Sequence, residues 1–216
     1  AEFHHRQSSE IIENAVLSYI EPYASSASEM VAEILQYIGD NIKMRPMEAD
    51  AMYSGIVIDT NNFVDKTGVR TFEAAAFLRR NGADVSRVRK LFRDDVNEYK
   101  AKAEIIQNAE VFNNYFVISE CNSENLESPT VVAAQAANEL LNINGMKASF
   151  VLTMFNNTVY ISARSIDEVN VQIIMEQLGG GGHMSIAGAQ LTGMTVEEGK
   201  ALLKEIVNRM LEEGDI

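Results

Sequence analysis

Four consecutive glycines followed by a histidine, Gly179-Gly180-Gly181-Gly182-His183, constrain this chain more than any other stretch. At a glycine usage of about 7%, a given four-residue run arises by chance about twice in 100,000 positions. Such a run has no side chains to pack and loses the most backbone entropy on folding. A folded chain tolerates it where the backbone itself must touch something. One glycine can cap the helix marked by Val171, Ile174 and Leu178 in a left-handed conformation, but a cap uses one glycine, not four. Successive peptide N–H groups without Cβ atoms can form a concave anion nest, and His183 adds a donor or a positive charge. Run and histidine together point to a phosphate or nucleotide contact.

The 216 residues suffice for one large domain or two small ones. The net charge of −13 argues against a general grip on duplex nucleic acid, which needs clustered Lys and Arg. A small phosphorylated ligand needs only a local positive pocket and remains open. No apolar stretch reaches the ~18 residues that span a bilayer, and no signal-peptide pattern opens the chain. Cys121 is the single cysteine, which excludes an intramolecular disulfide and fits a reducing, cytoplasmic setting.

Ala1-Glu2-Phe3 reads as a cloning scar and is set aside, so the natural chain is expected to start at His4. Residues 14–20 look like a short strand. Ser25, Ser26 and Ser28 offer N-caps for a helix to about Tyr37, and Pro46 opens a second helix to about Ile58 that delivers Asp59. Thr71 is expected to cap a third helix over 72–81, ended by Gly82, and a basic helix follows over 84–95. The polar stretch 96–113 reads as a helical linker. Beyond it, Phe112–Ser119 reads as a strand and Ser128-Pro129 opens an alanine-rich helix. Ala148–Phe155 and Val159–Ala163 form a hairpin turned by Asn156-Asn157. A terminal helix covers 196–213. The expected organisation is α/β in two domains, 4–95 and 114–216, hinged near residue 100.

Four groups of residues can carry chemistry. His4-His5-Arg6 presents adjacent imidazoles, which bind divalent metals when neutral and phosphate when charged. Asp59 follows an apolar run that ends abruptly, a position suited to a site carboxylate or to a turn cap. Arg164-Ser165 ends an apolar strand upstream of the glycines. The guanidinium can pair bidentately with phosphate or with a surface acid, and Ser165 can bond a ligand or cap the next helix. The basic stretch Arg79, Arg80, Arg87, Arg89, Lys90, Arg93 reads as a solvated helix face.

These pieces together resemble a known family. His4-His5-Arg6 looks like the end of the Asp-His-His-Arg signature of DHH phosphoesterases, and Ile58-Asp59-Thr60 resembles their later aspartate segment. Arg164-Ser165, Gly179–His183 and Ala187-Gly188 resemble the DHHA1 domain that accompanies it. The strings Tyr19-Ile20-Glu21-Pro22-Tyr23-Ala24-Ser25-Ser26 and Gly68-Val69-Arg70-Thr71-Phe72-Glu73-Ala74 look closest to the cyclic-di-AMP phosphodiesterases of Gram-positive bacteria. The resemblance implies a partial DHH domain, with a truncated parallel sheet, plus a DHHA1 domain with a mixed sheet.

It also implies a dinuclear, usually manganese, centre and in-line attack on phosphorus. Under it His4 and Asp59 are metal ligands and His5 is a phosphate contact or acid. Arg164, Ser165, Gly179, Gly180, Gly181, Gly182 and His183 hold a cyclic dinucleotide or a short linear nucleotide, in a cleft between the domains. The activity implied is opening of cyclic-di-AMP to linear pApA by a membrane-anchored parent protein with a cytoplasmic catalytic part, possible as a homodimer. Related activities on short RNA or on pAp, and a non-catalytic RNA-binding role, share these motifs.

The chain departs from the family pattern at its start. Phe3 stands where the signature aspartate belongs, and the preceding His-x-x-x-Asp-x-Asp segment is not present. Most metal ligands are therefore missing, His4 is expected to fray, and the chain is expected to bind nucleotide without completing catalysis.

Overall fold

The computed structural model describes residues 2–4, 13–38, 43–93, 95–166 and 169–216. The chain divides into two units, Ala1–Arg93 and Asp94–Ile216.

In the first unit β1 (Glu2–His4) pairs in parallel with β2 (Ser18–Ile20), with Phe3 opposite Tyr19 and His4 opposite Ile20. Glu21 N donates to His4 O at 2.9 Å, so the pairing continues past the strand. This corrects the expectation that His4 frays, because the ladder ties the backbone of 2–4. The strand expected over 14–20 is shorter, confined to Ser18–Ile20, and Asn14 at its expected start adopts φ 69°, outside the extended region.

Helix α1 (Ala27–Tyr37) starts on Ser26, whose hydroxyl accepts from Glu29 N at 3.0 Å. The buried Glu29 carboxylate in turn accepts from the Ser25 amide and hydroxyl. Helix α2 (Pro46–Asp59) begins on proline, where the missing N–H costs nothing. The two helices meet where α2 carries Gly55, since a Cβ there would lie 2.3 Å from Ser28 Oγ. Helix α3 (Val69–Arg80) starts three residues earlier than expected, on Gly68. Thr71 is its third residue, and its hydroxyl accepts from Gly68 N at 3.1 Å, so Thr71 caps the turn from inside. Helix α4 (Val85–Leu91) is capped by Asp84.

Small residues let these helices approach closely, and Ala32, Ala49, Ile56, Ala74 and Leu78 form the core between them. Arg70 binds both oxygens of Glu33, at 2.6 and 2.7 Å, and also reaches Glu21 and Tyr19. Glu33 before all else holds the Arg70 guanidinium above its ordinary pKa. The strings 19–26 and 68–74 are thus bonded to each other through Arg70.

The second unit opens with α5 (Val96–Gln107), in the stretch read from sequence as a linker. Its Ile105 is buried in the core of this unit. Next come β3 (Glu110–Phe112) and β4 (Phe116–Cys121), joined by Asn113-Asn114 at φ 50° and 63°. The single strand expected over 112–119 is therefore a hairpin, turned by the asparagine pair that also turns 156–157. Helix α6 (Pro129–Leu140) crosses over to β5 (Ala148–Phe155), which runs parallel to β4. Then follow β6 (Thr158–Ser165), α7 (Val171–Gln177), β7 (Gly181–His183), β8 (Ile186–Thr192) and α8 (Val196–Glu213).

The sheet order is β3-β4-β5-β6-β8-β7, with every pairing other than β4–β5 antiparallel. This is the expected mixed sheet. One face packs on α7 and α8 through Phe116, Phe150, Ile161, Ile174 and Leu203. The other packs on α5 and α6 through Ile105, Val117, Val132, Ala136 and Val151. Among the described residues no helix is long and apolar enough to cross a membrane.

Candidate functional site

Residues directly opposite one another on neighbouring strands point to the same face of a sheet. Ile161, Ala163, Ala187, Ala189 and Leu191 face α7 and α8 and are buried there. Their neighbours face the other way. On that second face Arg164 lies opposite Ile186, which lies opposite His183. The next row is Ser162, Gly188 and Gly181, and the row after it is Tyr160 and Gln190. The core on this face draws its strand residues from β4 and β5, and over β6, β8 and β7 the face stays partly open, with Ile186 54% exposed. A groove of about 490 Å³ runs there, floored by Tyr160, Ser162, Gly188 and Gln190 and bounded by Thr130 of α6 and by Gly181.

Geometry explains each glycine differently. Gly179 follows α7 at φ +72°, the left-handed position that ends a helix, and its amide donates to Glu176 O at 3.0 Å. At Gly180 a Cβ would lie 2.2 Å from Gly188 O, so β8 leaves no room for a side chain. Gly182 has φ +150°, and a Cβ there would meet Ala187 Cα at 2.5 Å. Gly181 has no such cause, because a Cβ there would meet nothing within 4 Å. Gly181 to His183 form an edge strand, in which successive N–H groups point in alternating directions. The nest of converging amides expected from sequence is therefore replaced by a strand and a row without side chains.

Arg164 is half-buried. Its Nε donates to Asn138 Oδ1 of α6 and its Nη1 to Ala163 O, each at 2.9 Å. Among the described residues no carboxylate pairs with it, although the chain carries 31 acidic residues. Burial pushes the guanidinium below its ordinary pKa, and it remains a cation at neutral pH. His183 is exposed on the same face, two strands away, about 10 Å at the backbone.

Ser165, expected beside Arg164, points to the opposite face and is 6% exposed. Its hydroxyl donates to Met184 O at 3.2 Å, and its amide donates to Ser185 O at 3.0 Å. It fastens the turn between β7 and β8, so the alternation of the strand separates it from the Arg164 side.

The expected metal ligands lie in the first unit. His4 is half-buried in β1, and Asp59 is exposed as the last residue of α2. His5 lies outside the described residues. Among the described residues no three His, Cys, Asp or Glu side chains group closely enough to hold a metal ion. The donor set described does not fit a dinuclear centre.

Sequence reasoning missed Tyr160, Ser162, Gln190 and Thr130, which line the groove. It missed them because β8 was not expected as a strand. The alternation of buried Ala187, Ala189 and Leu191 with exposed Ile186 and Gln190 was the available signal, weakened because two of the inward residues are alanine.

Residues 113–213 match the family model of the DHHA1 domain. The match falls within the second unit. The chain is 45% identical over 212 residues to the cyclic-di-AMP phosphodiesterase GdpP of Geobacillus thermodenitrificans, across 98% of this chain and 32% of that protein. It is 43% identical over 201 residues to the cyclic-di-AMP phosphodiesterase PdeA of Listeria monocytogenes, across 93% of this chain and 30% of that protein. The chain thus spans about a third of the length of these relatives. Among solved structures it is similar in fold to an exopolyphosphatase-related protein from Bacteroides fragilis. The TM-score there is 0.81 at 18% identity, over 96% of this chain and 63% of that one.

Proposed function

We propose that this chain is the nucleotide-holding part of a phosphodiesterase that opens cyclic-di-AMP to linear pApA. In that reaction water adds to one phosphorus, the P–O3′ bond breaks, and the 3′ oxygen leaves as a hydroxyl. Arg164 and His183 hold a phosphate on the open face of the second unit, and the row of Gly181, Gly188 and Ser162 lets the ligand lie against the backbone. His4, His5 and Asp59 belong to the metal-dependent chemistry of a more complete site, with manganese as the ion the family pattern favours. The observation that carries this reading is the half-buried Arg164 guanidinium, without a carboxylate partner among the described residues, on the same sheet face as a glycine that no internal contact requires. The sequence similarity to two cyclic-di-AMP phosphodiesterases supports the choice of ligand.

Titration calorimetry of this chain with cyclic-di-AMP and with pApA tests the proposal, with chromatography of the mixtures in the presence of Mn²⁺. Saturable binding without turnover, lost in Arg164→Ala, is expected. Absence of binding to either nucleotide by the folded chain overturns the assignment. Conversion of cyclic-di-AMP by this chain alone overturns the division between holding and cutting.

A further inference from the structure

The groove beside Arg164 has a composition that a phosphate alone does not need. Arg164 and Tyr160 stand on one face of β6, four residues or about 13 Å apart along the strand. Helix α6 flanks this interval. Its Asn138 bonds Arg164 at one end, and its Thr130 lines the groove with Tyr160 at the other. Between the two ends the row of Ser162, Gly188 and Gly181 carries one hydroxymethyl group and no other side chain. The far end holds the half-buried Tyr160 ring, steadied by Phe155 at 6.5 Å between ring centres, and the exposed Gln190 carboxamide directly opposite it.

We infer that Tyr160 and Gln190 form a nucleobase subsite, with the base packed on the Tyr160 ring and its edge read by the Gln190 carboxamide. This rests on the reading above that Arg164 holds the ligand's phosphate. Aromatic rings stack on any base, so Tyr160 supplies affinity. The carboxamide has both a donor and an acceptor and can form a paired hydrogen bond with adenine, so Gln190 supplies selectivity. The row between them, with the Ser162 hydroxymethyl as its single side chain, accommodates the sugar, which is bulky and needs no apolar wall. Inorganic phosphate, lacking a base, reaches only the Arg164 end.

The test compares pApA, pGpG and inorganic phosphate binding to this chain and to Tyr160→Leu, Gln190→Ala and Arg164→Ala. Thermal melts verify that each is folded. Tyr160→Leu is expected to weaken pApA roughly tenfold and to leave phosphate affinity unchanged. Gln190→Ala, at an exposed position that does not disturb the fold, is expected to reduce the preference for pApA over pGpG about fivefold or more. Arg164→Ala is expected to weaken all three ligands. If Arg164→Ala weakens them while Gln190→Ala keeps the base preference and Tyr160→Leu keeps pApA affinity, the base subsite is wrong and the phosphate site stands. If Arg164→Ala changes nothing, the phosphate site itself is wrong.

Discussion

The Ser165 hydroxyl donates to the Met184 carbonyl across 3.2 Å, tying the end of β6 to the turn that joins β7 and β8. Ser165 is thus a fastener for the glycine strand. Ser165→Ala removes one buried hydrogen bond and is expected to cost about 1 kcal/mol of stability. Pairing of β7 with β8 survives it, so nucleotide affinity should fall less than about threefold, below the 1.4 kcal/mol that a tenfold change represents. Urea unfolding with parallel calorimetry separates the two effects.

The glycines of the run divide by alanine substitution. Gly180→Ala forces a Cβ against the Gly188 carbonyl, and Gly182→Ala forces one against Ala187 at a left-handed φ. Each is expected to destabilise the second unit by about 2 kcal/mol or more. Gly181→Ala meets nothing within 4 Å and should keep the melting temperature within a few degrees. It places a methyl group on the ligand side and should weaken nucleotide binding at least about tenfold. A stable, binding-competent Gly181→Ala protein would remove Gly181 from the site.

Gly55 sets the distance between α1 and α2. Gly55→Ala puts a Cβ 2.3 Å from Ser28 Oγ and is expected to destabilise the first unit by roughly 1–3 kcal/mol. Adding Ser28→Ala removes the nearer atom and should restore part of the loss, which a double-mutant cycle reads directly.

Asp50 gives the first unit an acid limb. Its carboxylate accepts from Arg87 Nε and from Asp84 N, each at 2.7 Å. The Arg87 hydrogen bond first, and the Asp84 amide second, hold it below the usual carboxylate range. A carboxyl whose pKa is lower folded than unfolded stabilises fully above the unfolded value of about 3.9. That contribution fades as the pH falls through the folded value. Asp50→Asn should therefore be less stable than the parent near neutrality, and the two stability curves should converge as the pH falls through and below the folded value. Curves that stay parallel to the lowest pH measured would show that Asp50 has no such linkage.

Much of the second unit was legible because its elements announce themselves locally. Pro129 opens α6, Asn156-Asn157 turns β5 into β6, and the spacing of Leu203, Ile206, Val207 and Met210 gives α8 its buried stripe. Arg164 and the glycines stood out in the sequence, since a cation at a strand end and a run without side chains both need explaining, and folding alone accounts for Gly179, Gly180 and Gly182. Ser165 was misplaced because sequence adjacency to Arg164 becomes opposite faces in a strand. Tyr160 and Gln190 were hidden because only the register of β6 on β8 brings residues thirty positions apart together. In the first unit Glu2 and Phe3 were set aside as foreign, whereas parallel pairing depends on backbone groups that any residue supplies.

The three causes found within one glycine run decide what related sequences can report. At Gly180 and Gly182 the first carbon of any side chain collides with β8, so glycine there is a requirement of folding whatever the domain binds. Invariance at those positions across homologues would say nothing about ligands. At Gly181 a Cβ meets nothing in the chain within 4 Å, so its retention or loss is the position that tracks binding.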